Sequence, residues 1–129
     1  MFLTNDINSK DGTYDILILN KKIEIKTAKL GKHKSFQHEN LRTDGYDFLL
    51  FIDICPNYYY LTIVPKYNLK SSDIIGKKAH LRKGTTDVFK LDFNEKIIQK
   101  FIEKGYSVKI DDTTDFNDIY SFIKDKVNQ

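Results

Sequence analysis

The sequence predicts an α/β domain in which a central mixed β-sheet is flanked by helices, and three stretches carry that reading. Residues 13–27 hold two apolar, β-branched-rich runs separated by the polar break Asn20-Lys21-Lys22, which is the pattern of a hairpin. Tyr46 to Cys55 is a near-continuous apolar run ended by Pro56-Asn57, as expected of a central strand covered on both faces. Behind Asn94 and Asp115, apolar residues recur at helical spacing, and both residues are good N-caps. A chain of 129 residues fits one domain with a single core, divided into a core over 12–64, a basic extension over 66–93 and C-terminal helices over 94–128.

Residues 1–12 are polar after the first three, and Lys10-Asp11-Gly12 is a turn signal leading into the first strand. Asp6 and Asp11 are turn residues there, able to add an acidic ligand to a nearby site. With Asn20-Lys21 as a two-residue turn, Leu19 pairs with Lys22, Leu17 with Glu24 and Asp15 with Lys26. Strand side chains alternate with period two, so Asp15, Leu17, Glu24 and Lys26 share one face. Two carboxylates and an ammonium thus converge on otherwise apolar sheet. This cluster has two readings: an ion pair at a sheet edge, or a divalent-cation site, since hard carboxylate oxygens suit Mg²⁺.

After Lys26 comes a loop with Lys29, Lys32, His33 and Lys34 around Gly31, either a solvated loop or a grip on phosphate. Ser35 is placed to cap a helix from Phe36 to Thr43, closed by Gly45, with Phe36 and Leu41 inward and Gln37 and His38 near the loop side. The next strand runs from Tyr58 to Val64, and Asp47 and Asp53 read as solvated ends of the central strand. From Lys66 to Lys90 basic residues outnumber acids, and Arg82-Lys83-Gly84-Thr85-Thr86 forms a basic turn. A helix from Asn94 to Lys104 precedes a short strand over 106–110. Asp115 then caps a last helix carrying Phe116, Ile119, Tyr120, Ile123 and Val127. The acids at 111, 112, 115 and 118 are explained by the helix dipole.

Apolar residues make up 40% of the chain and aromatics 13%, which excludes a disordered chain. The net charge of +3 permits a nucleic-acid partner without requiring one. The single cysteine, Cys55, builds neither a disulfide framework nor a thiolate metal site, and reads as a reduced core thiol. No apolar run approaches the roughly eighteen residues of a membrane span, and the N-terminus lacks the pattern of a signal peptide. The expectation is a soluble, cytoplasmic protein.

Asp15, eight intervening residues, then Glu24-Ile25-Lys26 on a hairpin resembles the active-site signature of the PD-(D/E)XK nuclease superfamily, with its restriction-endonuclease-like fold. The likeness covers about 12–64, and Tyr14 stands where the family name has proline. The resemblance implies a Mg²⁺-dependent DNA endonuclease, with Mn²⁺ as substitute. Asp15, Glu24 and the Ile25 carbonyl would be metal ligands and Lys26 the catalytic cation. Gln37 would be the glutamine that many members carry on the helix after the lysine strand.

A nuclease reading in turn makes Lys29, Lys32, Lys34, Lys77, Lys78, Arg82, Lys83 and Thr85 the candidate DNA-binding residues, with Arg82 suited to bidentate base contact. A restriction-type enzyme is the most natural subclass. A junction-resolving or repair nuclease of the same fold, or an inactive DNA-binding module, is the alternative. Only fourteen residues precede Asp15, too few for the family's usual N-terminal helix. A minimal version or a domain of a larger protein or complex is therefore expected, and a homodimer stays open.

Overall fold

The computed structural model describes residues 14–42, 44–66, 80–81, 83–85 and 88–128. The hairpin forms as β1 (Ile16–Ile18) and β2 (Lys21–Lys29), with Ile18 opposite Lys21, Leu17 opposite Lys22 and Ile16 opposite Ile23. The turn is therefore Leu19-Asn20, one residue earlier than expected. Both residues take positive φ, 51° and 65°. Two positive φ values are what a tight hairpin turn requires, and asparagine adopts them readily where leucine does so only at a cost. The shift moves Asp15 from Lys26 to Glu24 but preserves parity, so the acids and the lysine still share a face.

β2 runs parallel to β4 (Phe48–Ile54), with Glu24 beside Leu49 and Lys26 beside Phe51. β5 (Tyr59–Pro65) and β8 (Ser107–Ile110) add antiparallel, giving among the described residues a mixed five-stranded sheet in the order β1-β2-β4-β5-β8. Parallel neighbours need a long crossover, and residues 30–47 supply it.

That crossover corrects the helix expected over 36–43. Residues Ser35–Arg42 form β3, which pairs with β7 (Val88–Asn94), and β7 pairs with β6 (His80–Leu81). The physical reason lies in the spacing: Phe36 and His38 point inward while Gln37 and Glu39 point outward, a period of two. A register shift between His38 and Leu41, with Asn40 at φ 59°, then restores Leu41 to the inner face. Gly45, at φ 92°, belongs to the turn before Tyr46 and caps nothing.

The C-terminal helices form as expected. In α1 (Glu95–Glu103) the Asn94 side chain accepts from the Ile97 amide at 2.8 Å, and in α2 (Phe116–Val127) Asp115 accepts from Asn117 at 2.7 Å. α1 and the three-stranded sheet cover the face of the main sheet that bears Glu24, Lys26, Leu49 and Phe51. The core there joins Phe36, Leu41, Phe51, Tyr60, Phe93 and Phe101. α2 covers the opposite face, packing Ile123 and Val127 on Ile18, Ile23, Leu50 and Ile63. The molecule is thus mixed α/β and strand-rich. Among the described residues no helix is long and apolar enough to cross a membrane.

Candidate active site

Asp15 is held at the end of β1 by two bonds to β2. Its amide donates to the Ile23 carbonyl at 2.9 Å, and its Oδ2 accepts from the Ile25 amide at 2.7 Å. The second bond aims the carboxyl along β2, toward the Glu24 carboxyl. A strand residue's N–H and C=O point to the same edge, so the Ile25 carbonyl faces the edge on which Asp15 sits. Lys26 Nζ lies 3.7 Å from Glu24 Oε2 and donates to the Asn40 carbonyl at 3.4 Å. One hairpin and the bulge of β3 thus bring together two carboxyls, a main-chain carbonyl and an ammonium.

Burial gives this cluster its electrostatics. The Glu24 side chain is only 17% exposed. Desolvation first, then the hydrogen bond to Asp15, raises its carboxyl to about 7, against a smaller opposing effect of Lys26. Two adjacent acids in a sheltered notch do not both ionise cheaply, and a proton stands where a cation would relieve them. The donor set fits a hard divalent ion: two carboxylates and a carbonyl, with further positions open to water or phosphate. Among the described residues no group of three or more Asp, Glu, His and Cys side chains is gathered, so the protein's side-chain share would be those two acids.

Other predicted residues fall elsewhere. Gln37 is exposed on the outer face of the second sheet, opposite Asp92 and on the side away from His38, and does not join the acids. Asp6, Asp11, Lys77, Lys78 and Arg82 lie outside the described residues. Lys29 ends β2, and Lys32 and Lys34 are exposed in the tight loop that follows, where Gly31 N donates to Ser35 O. Lys83 is exposed and Thr85 donates to the Val88 carbonyl in the β6–β7 turn, at the Arg42 end of the second sheet. That sheet packs on the Glu24 side of the main sheet, so this part of the basic stretch lies on the same side as the acids.

Asp53, read from sequence as a solvated strand end, and His38, placed on the loop side of a helix, are both buried. Asp53 is fully buried and its Oδ1 lies 2.6 Å from His38 Nε2, itself 2% exposed, which corrects both the solvated strand end and the place of His38 on a helix. Burial raises the Asp53 carboxyl, against the opposing effect of His38. Asp47 matches its expectation, exposed and accepting from the Lys22 amide at 2.8 Å. Cys55 is a buried free thiol. Tyr46 was missed: its hydroxyl donates to the Arg42 carbonyl, and its acidity is suppressed by burial first and then by Glu24. Its place at the start of an apolar run gave no signal beyond core packing. A groove of about 500 Å³ opens at the far end of the strands, between Tyr58, Ile110 and Phe116, away from the acids.

Compared with family models, curated proteins and solved structures, the chain gives no match in any of the three.

Proposed function

We propose that this protein is a Mg²⁺-dependent DNA endonuclease of the restriction type, built on a restriction-endonuclease-like core of which it is a departure. The observation that carries the proposal is the Asp15–Glu24 carboxyl pair with Lys26 Nζ 3.7 Å from Glu24, all on one hairpin. The parallel β2–β4 pair beside that hairpin supports the fold half of the reading. The departure is β3, a strand where many members have a helix, and with it the loss of Gln37 as a site residue.

Asp15, Glu24 and the Ile25 carbonyl would hold the cation. When bound, it supplies Lewis acidity toward the phosphate and a more acidic water. Asp15 is pre-oriented by the Ile25 amide, so its carboxylate needs no rearrangement on binding. The Lys26 ammonium, held between Glu24 Oε2 and the Asn40 carbonyl, would orient the attacking water and balance negative charge growing on the phosphate. The basic loop at Lys29, Lys32 and Lys34 and the turn at Lys83 and Thr85 would meet the DNA backbone on either side.

The test is incubation with supercoiled, linear and branched DNA, in Mg²⁺ and in chelator. Discrete fragments with 5′-phosphate ends from linear DNA, absent in chelator and absent for Asp15→Ala, are expected. Cutting confined to branched DNA would replace the restriction reading with junction resolution, and no Mg²⁺-dependent cutting of any substrate would remove the enzyme.

A further inference from the structure

The geometry points to the buried His38–Asp53 pair as a positioning device for the Lys26 ammonium: by fixing β3 against β4, it sets the Asn40 carbonyl that receives Lys26 Nζ. The inference rests on the proposed role of Lys26 in phosphodiester cleavage.

β3 and β4 belong to separate sheets. Their relative register is therefore set by side chains, and most of those between them are apolar. Burial is non-directional, so Phe36, Phe51 and Phe93 restrain sliding less sharply than a hydrogen bond does. The His38 ring packs 4.7 Å from the Phe51 ring and 5.6 Å from Phe93, so the bond from Nε2 to Asp53 Oδ1 is set inside an aromatic box.

Stability alone does not explain the pair. Apolar residues of similar volume would serve a core at least as well as a buried polar pair. Here the pair also leaves Asp53 Oδ2 without a hydrogen-bond partner among the described residues, an additional cost.

What the pair does hold is the flank of a bulge. Asn40 lies two residues beyond His38, inside the register shift, at φ 59°. Its carbonyl is 3.4 Å from Lys26 Nζ. The other flank is fastened by Tyr46, whose hydroxyl donates to the Arg42 carbonyl. With both flanks fixed, the bulge presents one carbonyl to an ammonium that, among the described residues, also meets Glu24. Displacing a catalytic group by about 1 Å is enough to reduce turnover about 100-fold.

The experiment replaces the pair in both the parent and a Lys26→Ala background. His38→Leu with Asp53→Leu supplies the apolar substitute, expected to keep or raise the melting temperature. In the parent background kcat should fall about 10–100-fold with KM and calorimetric Mg²⁺ affinity within about twofold. In the Lys26→Ala background the same change should cost no further rate, because the residue it acts through is gone. Asp53→Asn, which keeps an acceptor for His38, should retain most of kcat and covers the case in which the leucine pair fails to fold. Equal losses in both backgrounds, or Asp53→Asn as slow as the leucine pair, would overturn the positioning role.

The ¹⁵N signal of the Lys26 ammonium gives a readout independent of cleavage. It should move in the leucine pair and stay in Asp53→Asn. An unmoved signal overturns the inference, whereas a moved signal in a protein that cuts no DNA sinks only the nuclease reading.

Discussion

Glu24→Gln should stabilise the metal-free protein at alkaline pH while removing its response to Mg²⁺. The Glu24 carboxyl titrates at about 7 in the fold against a usual 4.5. A raised carboxyl favours the native state while protonated. That advantage is complete below about 4.5 and is lost as pH rises through about 7. The full displacement would correspond to about 3.4 kcal/mol, and screening by solvent at a partly open notch reduces it to about 1–2 kcal/mol. Glutamine cannot ionise, so the melting temperature of Glu24→Gln relative to the parent should climb by several degrees between pH 5 and pH 8.5 in chelator. Comparing the two proteins at each pH cancels the titration of other acids, such as Glu95 and Asp111, whose pKa values are lowered. Saturating Mg²⁺ should reverse the order at pH 8.5, adding about 2.7 kcal/mol to the parent at 100 times Kd and little to the variant. A gap between the proteins that does not change with pH would refute the desolvation argument. Equal stabilisation of both by Mg²⁺ would refute the metal assignment.

Asp15→Ala should abolish calorimetric Mg²⁺ and Mn²⁺ binding with the circular dichroism spectrum retained; unchanged binding would remove Asp15 from the ligand set. Lys26→Ala should lower kcat about 100- to 1000-fold with DNA affinity nearly unchanged, and near-normal turnover would count against its charge-balancing role. Reversing the charge of Lys29, Lys32 or Lys34 should weaken binding to all DNA sequences alike and reduce the salt slope by about one per lost phosphate contact; parental affinity would place the DNA elsewhere. Phe51, fully buried between His38 and Phe93, should cost about 3–5 kcal/mol on truncation to alanine, read as a shift in the urea midpoint.

The hairpin, the central strand and both C-terminal helices were legible because each is written in local pattern. Alternation, an unbroken apolar run and a cap followed by helical spacing act within a few residues of one another. The convergence of Asp15, Glu24 and Lys26 was legible for a related reason: period two fixes the face even when the turn is misplaced by one residue. β3 was not legible. Ser35 resembles a helix cap and Gly45 a helix stop, and those local signals lost to pairing with β7, some fifty residues away in the chain. His38 and Asp53 were misread in consequence, since a histidine placed on the loop side of a helix and an aspartate placed at a solvated strand end have no reason to meet. Their burial is a product of the second sheet, and nothing near either residue announces that sheet.

That residues 35–42 form a strand and not the expected helix also changes what the basic extension is for. A helix satisfies its own backbone, whereas a strand in the crossover needs a neighbour for its N–H and C=O groups. β7 provides it, from Ser35 opposite Asn94 to Arg42 opposite Val88, and β6 in turn pairs with β7. The stretch after the hairpin core is therefore not an appendage that merely carries lysines. Without β7, β3 would have no ladder and its bulge no fixed place, so the Asn40 carbonyl would have no reason to lie against Lys26. Phe93 and Leu91 of β7 also close the aromatic box around His38 and complete the core under Phe51. The strand that extends toward the basic turn and the strand that shapes the candidate site thus belong to one ladder. A DNA contact at Lys83, as proposed, would be mechanically linked to the geometry of Lys26 through it.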